Sequence, residues 1–312
     1  MPHDNRKPHA LLAELRTLSI IPRHVLISSG MSTHDITSAV RSGRLMRVRR
    51  GVYTLPSMPE PIIAAVRLGG RISCLTLLQL IGVFVHSCRE PHVHVPPHLS
   101  RSRGRRQRDL LVHWGTRLDE GEPHMVSIRD AVLQSVRCQS PRASIATLDS
   151  VLHHGLLRQE DLVQIFTNLP LRYHPLLALV DASAESGPET YLRLILRSLG
   201  LRFETQVHLP GVGRVDFLVE GWLVIECDSR AFHQGWDRQV RDRRRDIAAA
   251  RLGYVTIRPL ASDLLEAQAR VRSDLQAVVD AFGSRLSGRA APQLRRKSAQ
   301  RRDTSASSGH RR

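Results

Sequence analysis

The sequence predicts an α/β protein in three parts. A C-terminal domain carries a mixed sheet flanked by helices, an N-terminal module has three short helices closed by a hairpin, and a mainly helical α+β region lies between them. Three observations carry this. Residues 215–228, VDFLVEGWLVIECD, read as two apolar strands around a glycine turn, between a strongly helical segment (187–199) and another (240–252). Residues 8–55 alternate short helical patterns with Gly30 and Gly43 and end in the alternating run LMRVRRGVYTLP. The stretch between has several helical periodicities but only two short strand-like runs, HVHVP and LLVHW. The expected division is 1–56, 57–170, a linker over 171–186, the sheet domain over 187–282, and a tail over 283–312.

In the first part, Leu11, Leu12, Leu15 and Leu18 have helical spacing, and residues 22–29 form a second helix ended by Gly30. Ser32 and Asp35 stand three apart, as a capping box opening a third helix requires. A strand, a turn at Gly51 and a second strand follow. This order is that of a winged helix-turn-helix, in which the third helix enters a major groove and the basic wing touches phosphate. Thr33, His34, Thr37, Arg41, Arg44, Arg47, Arg49 and Arg50 are the residues placed on nucleic acid; the same arginines also suit a merely solvated cap. The segment GRLMRVRRGVYTLP and the helix after Gly30 resemble the N-terminal winged-helix domain of AbiEi-type antitoxins. That resemblance implies DNA binding, in some members as a repressor.

The middle part offers helices over 61–68, 73–81, 125–136, 144–153 and 159–168. Five arginines between residues 101 and 108 suit a loop along phosphate or a plain surface loop. His92, His94 and His98 lack a carboxylate or cysteine to complete a zinc set. The four cysteines are scattered with no zinc spacing, which predicts reduced thiols in a cytoplasmic protein.

In the last part, Glu226 and Asp228 alternate onto one face of their strand. A turn centred on Gly221 sets Asp216 opposite Glu226, with Cβ atoms about 4.5–5.5 Å apart. Carboxylates so placed repel unless a cation compensates, and Mg²⁺ or Mn²⁺ is the natural choice; a water-facing edge hairpin is the plain alternative. Glu189 sits three residues after the N-cap Ser186, where a capping box needs an acid, and also on the apolar face with Leu192, Leu196 and Leu199. The elements run α-β-β-β-α-β, followed by a last helix over 262–282.

The helix with Glu189, Gln206, VDF at Asp216, LVIECD at Glu226, His233 and the stretch from Asp242 to Arg258 resemble the PD-(D/E)XK nucleases, in particular the very-short-patch-repair (Vsr-like) endonuclease group. The resemblance implies a restriction-endonuclease-like fold and Mg²⁺-dependent hydrolysis of DNA phosphodiesters. It assigns metal binding to Asp216 and Glu226 and catalytic roles also to Glu189, His233 and Asp242; by its own chemistry Asp228 suits a second ion or the polarisation of water, and Arg245 and Arg258 suit phosphate contact. Asp228 stands at the family's lysine position, and no lysine lies in this domain. The expected function is therefore a DNA endonuclease with a DNA-reading winged helix. The alternative is a DNA-binding regulator or antitoxin-like protein with an inactive nuclease fold; an RNA-directed nuclease is a third reading.

Charge agrees with a polyanionic partner. The net charge is +17 and the pI about 11.2, with Lys7 and Lys297 the only lysines. Nine Lys or Arg against one Asp over 284–312 predict a disordered, sequence-independent DNA tether. No apolar run is long enough to enter a membrane, and no small-molecule cofactor is expected.

Overall fold

The structure is a computed structural model. It describes the backbone of residues 7–97, 109–227 and 236–286, with side chains throughout except at 236–239 and 284–286. The chain forms two compact units, Met1–Gly187 and Pro188–Arg312.

The first unit opens with α1 (Pro8–Thr17), which buries Leu11, Leu12 and Leu15. Then come β1 (Ile21–Pro22), α2 (Arg23–Ser28), α3 (Thr33–Arg41), β2 (Met46–Arg49) and β3 (Val52–Thr54). The three strands make an antiparallel sheet in the order β1-β3-β2. The capping box forms as its spacing predicts: Asp35 N–H donates to Ser32 Oγ at 3.1 Å, and Ser32 N–H to Asp35 Oδ2 at 2.9 Å. Gly51, at φ +74°, makes the wing turn. The core of this module is Leu26, Ile36 and Tyr53, surrounded by Ile21, Met31, Val40 and Leu45. α1 reaches into the middle region, where a His124 ring nitrogen meets the Leu15 carbonyl at 2.9 Å.

The middle region adds α4 (Glu60–Leu68), β4 (Arg71–Ile72), α5 (Cys74–Leu80), β5 (His92–Val95), β6 (Leu111–Trp114), α6 (Ile128–Cys138), α7 (Pro141–His153) and α8 (Gln159–Phe166). Its sheet has the order β4-β5-β6, with β5 antiparallel to β4 and parallel to β6. β5 is buried along its length, so the histidines that alternate with Val93 and Val95 are buried with them. A Cβ at Gly70 would come within 2.6 Å of the His94 carbonyl oxygen and 2.7 Å of Val93 Cγ1. Gly70→Ala is therefore expected to cost about 2 kcal/mol, in the range of overpacked cores, measured by urea unfolding. The stretch expected as a linker is ordered: a 3₁₀ helix at Leu171–Leu179 packs on α7 and α8, and Asp149 accepts from Asp181 N–H at 2.7 Å.

The second unit contains α9 (Gly187–Ser198), β7 (Phe203–Leu209), β8 (Gly213–Val219), β9 (Leu223–Ile225), α10 (Trp236–Arg251), β10 (Val255–Ile257), α11 (Ala261–Glu266) and α12 (Gln268–Leu286). The sheet order is β10-β9-β8-β7. β7, β8 and β9 form an antiparallel meander, and α10 crosses over to bring β10 parallel to β9. Leu209, Val215, Leu218 and Val224 of the sheet pack with Val212 of the β7–β8 connection and Ala249 of α10. The element order is the one the sequence predicts, with two corrections. The single last helix divides at Ala267, which leaves helical geometry at φ −124° and ψ 38°; no proline or glycine marks the break. β9 ends at Ile225 rather than running on to Asp228, because the Asp216 carboxylate takes the Cys227 N–H and interrupts the ladder.

Candidate nucleic-acid interface and acidic centre

The winged module presents one charged surface. Thr33, His34, Thr37 and Arg41 on α3, Arg44 in the following turn, and Arg47, Arg49 and Arg50 of the wing are all exposed. Residues 22–56 contain six arginines against one acid, Asp35, a local charge of 6 − 1 = +5. That acid is committed to the α3 cap, and its bonds to Ser32 hold it below the usual carboxylate value. Among the described residues no ion pair engages Arg41, Arg47, Arg49 or Arg50. The α3 periodicity causes the arrangement: Ile36 and Ala39 face inward, so the residues between them face out. A register shift between Arg47 and Arg49 bends the wing strand at its basic end. The structure adds Arg23, which the sequence pattern does not single out. Its guanidinium donates to Thr33 Oγ1 at 2.7 Å and so lies at the start of α3. Its place directly after Pro22, at a helix start, is the one signal that marks it.

In the second unit, β8 and β9 pair Phe217 with Ile225 and Val219 with Leu223, the register that a turn centred on Gly221 requires. Glu189 and Glu226 are buried, at 6% and 8% exposure. Gln206 Nε2–H donates to Glu189 Oε2 at 3.0 Å. Gln206 does so from φ +52°, a left-handed backbone inside a strand that costs a non-glycine residue about 1 kcal/mol or more. Asp216 Oδ2 accepts from Cys227 N–H at 2.8 Å. Burial, and then the charges of Asp216, Glu189 and Glu226, push the Cys227 thiol far up. Of the three acids, Asp216 meets Cys227 directly, at its backbone N–H.

Glu226 carries the electrostatics of this centre. Its Oε1 pairs with Arg245 Nη2 at 2.8 Å and its Oε2 with Arg258 Nη1 at 2.5 Å. Arg258 also holds Asp246 at 2.9 Å, and Arg245 donates to the carbonyls of Val212 and Arg214. Burial nonetheless raises the Glu226 pKa, against the pull of Arg258 and Arg245 and with a smaller push from Asp216. Burial opposes the charge on Arg258, but Asp246, Glu226 and Asp242 together outweigh it and hold Arg258 more firmly protonated.

The sequence places Arg245 and Arg258 on nucleic acid; in the structure both guanidiniums pair with Glu226. Of the three acids expected to hold a divalent cation, Asp216 and Glu226 are described and Asp228 is not. Both oxygens of Glu226 face arginines, which makes a carboxylate–arginine clamp. Asp228 and His233 lie outside the described residues, as do the arginines at 101–108 and the tail beyond 286.

Residues 22–56 match the family model described as a transcriptional regulator, AbiEi antitoxin. The match covers the helix-turn-helix and wing and stops before the middle region. No curated protein matches the chain. No helix among the described residues is long and apolar enough to cross a membrane.

Proposed function

We propose that this chain is a DNA-binding regulator of the AbiEi antitoxin type, which reads duplex DNA through α3 and grips phosphate with its wing. The observation that carries the reading is the unpaired, exposed arginine surface of the module whose sequence matches that family. α3 presents Thr33, Thr37 and Arg41 to base edges, while Arg44, Arg47, Arg49 and Arg50 neutralise phosphates. Fluorescence anisotropy with labelled duplex DNA and the full chain tests this. Saturable binding that weakens steeply with salt is expected. Binding that is absent at low salt, or unchanged by removing the wing arginines, would refute it.

A second reading, a phosphodiester-cleaving enzyme, keeps the support of the α-β-β-β-α-β order and of the buried carboxyls of Glu189 and Glu226 in the same unit as Asp216. Plasmid nicking with Mg²⁺ or Mn²⁺ separates the two, with Asp216→Ala as control and RNA as a second substrate. The clamp at Glu226 predicts no metal-dependent nicking above the Asp216→Ala background. Nicking abolished by that substitution would establish the enzyme.

A further inference from the structure

The four cysteines look unrelated in the sequence, and the histidines of β5 lack partners there. The fold changes both statements. β5 and β6 pair in parallel with His92 opposite Leu111, so His113, two residues on, shares the face of His92. Their rings stack 5.2 Å apart, with His92 Nδ1 3.0 Å from His113 Nε2. α6 ends at Cys138, whose Sγ lies 3.7 Å from the same His113 Nε2. α5 begins at Cys74, and its start is tied to β5: Ser73 N–H donates to the His92 carbonyl at 3.0 Å and His92 N–H to Thr76 Oγ1 at 2.7 Å. One ligand atom from each of Cys74, His92, His113 and Cys138 lies within 4.8 Å of the other three. Cys74 and His92 are buried, and the other two are partly so.

We infer that Cys74, His92, His113 and Cys138 form a tetrahedral zinc site that joins α5, β5, β6 and α6. Zn–S bonds near 2.3 Å and Zn–N bonds near 2.05 Å put tetrahedral ligand atoms about 3.3–3.8 Å apart, which brackets the Cys138–His113 spacing and lies a few tenths above the His92–His113 one. The chemistry of the donor set points the same way. His113 Nε2 faces both another imidazole nitrogen and a sulfur. One nitrogen holds either one proton or one lone pair, so hydrogen bonding among these atoms satisfies at most one of the two approaches. A soft cation at the centre satisfies all four donors, and a tetrahedral S₂N₂ set selects zinc. Four protein ligands leave no open position, so the site is structural and not catalytic. Cys74 adds a sign of constraint: its φ of +51° is rare for a non-glycine residue, and it is held where the sulfur meets the other ligands. His94, on the same strand, turns instead to Gln134 at 3.1 Å, and His98 lies outside the described residues.

The test is metal analysis of the full chain purified from zinc-supplemented culture. About one zinc per chain is expected. Cys138→Ser and His113→Ala should each lower zinc content about tenfold or more at matched free zinc, while Cys88→Ser retains it. Cobalt replacing zinc should give a thiolate-to-cobalt charge-transfer band that Cys138→Ser weakens. Should a variant fail to fold, titration of the folded wild type with a mercurial should release zinc in step with thiol modification. A folded wild type that takes up no zinc on reconstitution would overturn the site. So would zinc content indifferent to both substitutions, or a Cys74–Cys138 disulfide in the purified chain.

Discussion

Replacing Arg47, Arg49 and Arg50 together by alanine should lower affinity for duplex DNA about 30- to 100-fold at low salt. It should also flatten the dependence of log K on log salt by about 2.7, at about 0.9 for each phosphate that is no longer neutralised. The three guanidiniums are exposed and engaged in no ion pair among the described residues, so their removal leaves no buried partner behind. A change on α3 should act differently. Arg41→Ala or Thr37→Ala should cost about 1–3 kcal/mol on a preferred sequence and much less on an arbitrary one, because base-edge contacts discriminate and phosphate contacts do not. Anisotropy titrations at several salt concentrations read both effects. Equal losses from wing and α3 variants on all sequences would mean that α3 does not read bases.

The second large effect concerns Glu226. Glu226→Ala removes the acceptor of two guanidiniums that retain only 24% and 32% side-chain exposure. Breaking a buried pair costs about 3–5 kcal/mol, and the partial exposure of the arginines brings the expected loss to about 2–3 kcal/mol. Glu226→Gln should lose less, since its amide oxygen still accepts from one arginine. The pH dependence has a definite sign. Burial raises the folded pKa of Glu226 above its ordinary value of 4.5. Its contribution to stability is therefore full below that ordinary value and is lost as pH rises through the folded value. Urea unfolding should show wild-type stability falling relative to Glu226→Gln across that window. A relative gain there would mean that Arg245 and Arg258 outweigh burial.

Local signals in the sequence reach far into the fold. The capping box at Ser32 and Asp35, the glycine of the wing and the short apolar runs of β8 and β9 around Gly221 are short-range features, and each appears where its spacing puts it. The acidic centre is legible only in part. Alternation brings Asp216 and Glu226 to one place, but nothing local reveals that arginines from α10 and from beyond β10 arrive to pair with Glu226. The two guanidiniums bring positive charge to Glu226, a carboxylate the sequence reading assigns to a metal. The Cys74–Cys138 cluster is invisible in the sequence for a related reason. Its ligands come from four elements, and only the parallel pairing of β5 with β6, a long-range contact, sets His92 beside His113.

Selection of bound duplexes from a randomised pool with the full chain tests sequence-specific DNA reading by the winged module. An enriched motif that disappears in Arg41→Ala is expected, while residual, salt-sensitive binding persists. An unenriched pool, or a motif unchanged by Arg41→Ala and Thr37→Ala, would contradict it.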